Sequence, residues 1–242
     1  MKTLKLGLIV AIAVTSFSSC KKSGFCFKGD GNIITEQRDL TEFSQISLAT
    51  SADIHFIQSD DYSVEIKASE NLMSIIETEV VNSKLKIKRK NNTCLRGGNP
   101  IHIYISAPDI SRFAISGSGN VEAKGLFVAN NLELSVSGSG DFRFDSLDVD
   151  DIDISISGSG DMALFGIDTA STQKIKISGS GDISAFDLPV YHSTISIAGS
   201  GNCKIHAVDE LDVKISGSGD VLYKGQPAVN SNISGSGSLR HF

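Results

Sequence analysis

The tetrapeptide Ser-Gly-Ser-Gly, once in the form Ala-Gly-Ser-Gly, begins at residues 116, 137, 157, 178, 198, 216 and 234. Successive copies lie 21, 20, 21, 20, 18 and 18 residues apart. A near-constant period of this size marks a solenoid, in which one small unit stacks on the next because no unit can bury its apolar face alone.

The flanks of the tetrapeptide say what the unit is. The residue before it is Ile115, Val136, Ile156, Ile177, Ile197, Ile215 or Ile233, and two positions earlier stand Phe113, Leu134, Ile154, Ile175, Ile195, Val213 and, in the last copy, Ser231. An Asx residue follows in six copies (Asn120, Asp141, Asp161, Asp182, Asn202, Asp220), with Ser238 in the seventh. Then come Val121, Phe142, Met162, Ile183, Cys203, Val221 and Leu239, and two residues on Ala123, Phe144, Leu164, Ala185, Ile205, Tyr223 and His241. Strict alternation with β-branched residues is a strand pattern and does not fit the 3.6-residue period of a helix. Coils of about 20 residues, rising about 4.8 Å each, would stack these positions into apolar columns. The expected fold is therefore all-β, a right-handed β-helix with a less regular β-rich N-terminal part.

The tetrapeptides then fall at the corners. Their glycines, Gly117, Gly119, Gly138, Gly140, Gly158, Gly160, Gly179, Gly181, Gly199, Gly201, Gly217, Gly219, Gly235 and Gly237, are expected to serve positive φ or close backbone approach. Ser and Asx are expected to add hydrogen bonds to the local turn backbone.

Composition agrees. Of 242 residues 40% are hydrophobic, tryptophan is absent, and 23 are glycine. The formal net charge of −6 argues against nucleic acid as a partner, which calls for a basic stripe. The N-terminus has the layout of a secretory signal peptide: Lys2 and Lys5, the apolar run Leu6 to Val14, then Ser16, Ser18 and Ser19 before Cys20. Cys20 resembles the acylated cysteine of a bacterial lipobox, with Phe17 and Ser19 in place of its usual residues. Residues 1–19 are thus read as a lipoprotein signal, with Cys20 as the lipidation site and 20–30 as a tether. The following Lys21, Lys22 and Ser23 lack the acidic cluster of surface-exported lipoproteins, which favours a periplasm-facing anchor at the outer membrane over the cell surface.

Cys203 occupies an apolar column and reads as a small buried hydrophobe. Cys26 and Cys94 are candidates for a disulfide in an oxidising compartment, although spacing alone does not decide the bond. Between residues 31 and 110 strand patterns recur at Gln45 to Leu48, Asp53 to Ile57, Tyr62 to Ala68, Lys84 to Lys88 and Ile101 to Ser106. Asn71 to Val81 admits a short helix or a strand, and Asn91 to Pro100 reads as a loop. This region is either the first half of the same β-helix, continuous with the repeats of 111–242, or a β subdomain covering its end.

From about Arg38 onward the chain resembles the family described as putative auto-transporter adhesin, head GIN domain, which is frequent in Bacteroidota. The resemblance rests on Arg38-Asp39-Leu40-Thr41-Glu42-Phe43, Ile46-Ser47-Leu48, Ala52-Asp53-Ile54-His55-Phe56, Tyr62-Ser63-Val64-Glu65-Ile66, Asn71-Leu72, Leu85-Lys86-Ile87 and the serial Ser-Gly-Ser-Gly-Asx corners. It implies a right-handed β-helix with no established activity and supplies no catalytic residues.

The chemical readings are few. The Gly-x-Gly-Asp corners differ from calcium rolls, whose motif recurs every nine residues. Stacked Asp141, Asp161 and Asp182 would repel unless backbone N–H groups satisfy them, the favoured account, or cations collect there. The run Asp148, Asp150, Asp151 and Asp153 is the one candidate for a pectinase-like acid site and reads more simply as a solvated edge, no basic cluster accompanying it. His55, His102, His192, His206 and His241 have no metal-ligand spacing. The cluster Lys84, Lys86, Lys88, Arg89 and Lys90 puts three lysines on one strand face, opposite Leu85 and Ile87, which touches anionic groups or, more simply, deters edge pairing. The expectation is a non-catalytic cell-envelope module without cofactor or metal. Its partners are the membrane, through the lipid, with a glycan or an envelope protein as candidate ligand and a second copy as an open option.

Overall fold

The computed structural model describes residues 25–97 and 100–242; the signal segment, Cys20 and Lys21 to Ser23 lie outside them. Among the described residues the regular secondary structure is nearly all strand, and no helix is long and apolar enough to cross a membrane. The N-terminal elements are β1 (Phe25–Phe27), β2 (Ile33–Arg38), β3 (Gln45–Ala49), β4 (Asp53–Gln58), β5 (Ser63–Ser69), α1 (Glu70–Met73), β6 (Ile76–Val81), β7 (Lys84–Arg89), β8 (Thr93–Leu95) and β9 (His102–Ala107). The repeats supply β10 (Arg112–Ile115), β11 (Val121–Val136), β12 (Phe142–Ile156), β13 (Met162–Gly166), β14 (Ala170–Ile177), β15 (Ile183–Ile197), β16 (Cys203–Ile215), β17 (Val221–Lys224), β18 (Ala228–Ile233) and β19 (Leu239–His241).

The repeats form a β-solenoid with parallel, in-register coils. Val121 pairs with Phe142, Leu134 with Ile154 and Val136 with Ile156; the same columns run on through Ile175 and Ile177, Ile195 and Ile197, and Val213 and Ile215, all buried. Alternation fills the core because every second side chain of a strand points inward, and each buried Ile or Val contributes about 1.5–3 kcal/mol. Large and small residues complement one another down a column: Ala123 lies between Phe56 and Phe144. Phe113 contacts both Phe56 and Phe144 edge-on, with centroids 5.3 and 5.6 Å apart.

The N-terminal region belongs to the same stack, but its coils are out of chain order. The β3–β4 coil pairs in parallel with β10 and β11 on one side and with β7 and β9 on the other. The coil that comes later in sequence, β7–β9, is thus the outer one, and the chain passes over β3–β4 to begin the repeats. Beyond it the end is closed by antiparallel strands: β6 on β7, β5 on β9 and β2 on β5. The segment Asn71 to Val81, open between helix and strand, is both, since α1 gives way to β6, and Leu72 and Met73 of α1 are buried against the core. The expected loop Asn91 to Pro100 contains a strand, β8, which pairs in parallel with β1; there Cys26 and Cys94 are joined by a disulfide.

The corners explain the glycines. Of the fourteen, only Gly235 has φ in the left-handed region, at 134°. What excludes a side chain is the coil beneath: a Cβ on Gly138 would overlap the carbonyl oxygen of Gly117, and one on Gly158 that of Gly138. The same oxygens accept N–H bonds from the next coil, Ser139 to Gly117 and Ser159 to Gly138, each at 3.0 Å. Close backbone stacking, rather than positive φ, is the requirement.

Candidate functional site

One corner carries a continuous ladder of polar side chains. The backbone N–H of Asn120 donates to Asp53 Oδ1 at 3.2 Å, Asp141 to Asn120 at 3.0 Å, Asp161 to Asp141 and Asp182 to Asp161 at 2.8 Å, Asn202 to Asp182 at 2.7 Å, Asp220 to Asn202 at 3.0 Å and Ser238 to Asp220 at 2.8 Å. The expected local turn bonds are therefore replaced by bonds between coils. The reason is geometric, since the side chain lies along the solenoid axis and meets the next Asx N–H one coil on. Hydrogen bonds from the Ser238 hydroxyl and backbone, with Arg240 at 2.9 Å, hold the Asp220 carboxyl below the usual carboxylate range. The ladder is structural: each carboxylate already has a donor, which disposes of much of the repulsion expected for Asp141, Asp161 and Asp182.

The face before this corner is a flat parallel sheet with two outward columns. One runs Lys84, Gln45, Arg112, Glu133, Asp153, Lys174, Thr194, Asp212 and Asn230; beside it run Lys86, Ser47, Ala114, Ser135, Ser155, Lys176, Ser196, Lys214 and Asn232. Short side chains at Ser47, Ala114, Ser135 and Ser155 leave a trough along the face, which Lys176 and Lys214 interrupt further on. It deepens into depressions of about 300 Å³ beside Glu133, Asp153, Ser155, Lys174 and Lys176, about 320 Å³ beside Arg112, Asn131 and Asp151, and about 250 Å³ beside Ser196, Lys214 and Asn232. Arg112 is held to Glu133 at 2.7 Å. The result is a long, open surface of hydroxyls, amides and mixed charges repeated once per coil.

The acidic run is split by an edge, and only Asp151 and Asp153 share a depression, with Glu133. Val149 and Ile152 turn inward and are buried, so Asp148, Asp150, Asp151 and Asp153 spread around an edge. Asp148 pairs across the ladder with Val128 and Asp153 with Glu133, while Asp151 accepts a bond from the Thr172 hydroxyl. The basic strand joins the trough at its end; Lys88 is bound there by Glu79 at 3.0 Å and Glu77 at 3.7 Å. Cys203 is buried and unbonded.

One cluster escaped sequence reading. His55 Nε2 lies 3.1 Å from His102 Nδ1, and His55 Nδ1 lies 3.3 Å from Glu122 Oε2. The His55 ring stacks on Tyr104 with centroids 5.0 Å apart. Residues 47 and 67 positions apart meet because the β3–β4 coil is inserted between β9 and β11, which no local pattern announces. Among the described residues no group of three or more His, Cys, Asp or Glu is placed to hold a metal.

The family described as putative auto-transporter adhesin, head GIN domain, matches residues 42–227. This chain belongs to that family. The head GIN match begins just before β3 and ends between β17 and β18, so it takes in the out-of-order coil and the first six Ser-Gly-Ser-Gly corners. A crystal structure of a putative adhesin from Bacteroides fragilis NCTC 9343 superposes with a TM-score of 0.85 at 24% identity, over 89% of this chain and 100% of that one; at that identity the likeness is one of fold. A putative lipid binding protein from Parabacteroides distasonis ATCC 8503 gives 0.74 at 27% identity, over 90% and 99%. A putative adhesin from the same organism gives 0.74 at 25%, over 90% and 100%. No curated protein matches the sequence.

Proposed function

We propose that this head GIN protein is a non-catalytic, lipid-anchored binding module of the cell envelope, and that the trough holds an extended polyhydroxylated ligand, a glycan chain. The observation that carries the reading is the pair of outward columns from Gln45 and Ser47 to Asn230 and Asn232. A regular surface that offers hydroxyl, amide and charged groups once per coil matches a ligand that is itself a repeat. Two of its depressions adjoin, sharing Glu133 and Asp153, and the third lies further along the same face. The kinship with proteins described as adhesins supports an envelope role, and the Cys20 motif supplies the anchor.

A glycan array and a polysaccharide-degradation screen on the chain from residue 21 test this together. Retention without turnover is expected, weakened by Glu133→Gln with Lys174→Gln. Turnover that disappears when the acids from Asp148 to Asp153 are neutralised would establish the pectinase-like alternative instead. For the anchor, Cys20→Ser is expected to move the protein from the membrane to the soluble fraction; an unchanged distribution would refute lipidation.

A further inference from the structure

The two ends of the solenoid are built differently. The N-terminal end is closed by antiparallel strands and α1, and its outermost strands carry charge: Glu36 and Arg38 on β2, Glu77 and Glu79 on β6. At the C-terminal end, among the described residues, β18 pairs only with β16, and β19 only with β17. All six residues of β18, Ala228-Val229-Asn230-Ser231-Asn232-Ile233, are exposed, and none is charged or proline. Val229 and Ile233 continue the columns of Leu211 and Ile215, which are buried, yet are themselves 42% and 40% exposed. Phe242, just past β19, is 76% exposed. An open edge of this kind is normally blunted by lysine, proline or a covering segment. Here the neighbouring charges are already paired, Arg240 with Asp220 at 2.9 Å and Lys224 with Asp187 at 3.5 Å.

We propose that this end binds the same end of a second copy, tail to tail about a twofold axis, with β18 of each chain lying antiparallel along the other. A single added strand would cover one of the two edges that flank the last Ser-Gly-Ser-Gly corner and leave the apolar column ends open. Another coil of the same cross-section covers both edges and the column ends between them. The capped end of a copy does not fit, because its outer strands carry charges and its columns are already closed. Because the contact is isologous it stops at two chains, whereas head-to-tail stacking would run on into a fibre. β1, through which the N-terminal segment enters, is stapled to the capped end by Cys26–Cys94. The pair therefore holds its two β1 strands at opposite extremes and leaves both troughs open.

Sedimentation of the chain lacking only its first 20 residues, all outside the described fold, tests the proposal. The wild type is expected to show a reversible monomer–dimer equilibrium, with amide exchange in β18 and β19 slowing as concentration rises. Val229→Lys with Ile233→Lys places like charges across the contact and should raise the dimer Kd at least about tenfold. If that variant fails to fold, Asn230→Lys with Asn232→Lys, at exposed polar positions, gives the same readout. A single monomeric species up to about 1 mM, within the weakest range of specific association, overturns the proposal. So does a dimer that survives both variants, or a ladder of larger species.

Discussion

The backbone N–H of Asp161 donates to the Asp141 carboxylate one coil below it at 2.8 Å, and the Asp161 carboxylate accepts the N–H of Asp182 one coil above at the same distance. Each Asx is thus acceptor for one neighbour and donor to the other, and the corner is held by a chain of bonds running along the solenoid axis, charge-assisted where the acceptor is Asp. Asn and Asp serve alike because the bond uses only Oδ1, which both possess.

That equivalence gives a test. Asp161→Asn keeps the acceptor and removes a like charge between Asp141 and Asp182, so it should be neutral or slightly stabilising. Asp161→Ala leaves the Asp182 N–H without its partner and should cost about 1 kcal/mol. Denaturant unfolding of the two variants compares them; an Asn variant as damaged as the Ala one would show that the charge, and not the acceptor, matters.

At Gly138 a methyl group would overlap the Gly117 carbonyl oxygen, which is fixed by its bond from Ser139. Gly138→Ala must therefore prise two coils apart, with an expected loss of about 3 kcal/mol or more. Gly97, whose Cβ would meet nothing within 4 Å, is the control, and Gly97→Ala should change stability by less than about 0.5 kcal/mol. Thermal melts of both decide the point.

Gln173 and Ser193 occupy an inward column between Ile152 and Leu211. Each is 2% exposed, and the Gln173 amide and Ser193 hydroxyl have no hydrogen-bond partner. Such groups carry a desolvation cost with nothing to offset it. Gln173→Leu, with Ser193→Ala, is expected to raise stability by about 1–3 kcal/mol. A drop in the unfolding midpoint would instead mean that a bound water satisfies the pair in solution.

Cys26 and Cys94 are 68 residues apart in sequence, so reducing their bond should lower stability by on the order of 4 kcal/mol in the chain-entropy account. Denaturant curves with and without reductant measure it. Burial first, and the Asp182 carboxylate second, push the Cys203 thiol up. In the folded protein Cys203 should resist alkylation at neutral pH and react once the chain is unfolded; rapid labelling of the native state would contradict its placement.

Much of the architecture is written locally. Ile115, Val136, Ile156 and their successors are visible as one column because a strand repeats every two residues and the unit repeats about every 20, so linear spacing and stacking coincide. The site is less legible. Glu133, Asp153 and Lys174 become neighbours only once the register is known, and Ser135 and Ser155 form a trough floor only because their coils lie flat. His55, His102 and Glu122 meet through a coil inserted out of order, and α1 is shaped by the core that Leu72 and Met73 plug.

The sequence by itself determined the strands, the inward columns and the corners, since those follow from side-chain alternation and from residues that only a tight backbone crossing would require. The tertiary structure decided how the corners work. It chose close backbone approach over positive φ at the corner glycines and turned the Asx residues from local caps into bonds between coils. It also placed β3–β4 between the β7–β9 coil and β10–β11, closed one end and left the other open. Each of these depends on what lies one coil away, about 4.8 Å through space but about 20 residues along the chain in the repeats and up to 67 at the inserted coil, and a single strand's pattern carries no information about its neighbour.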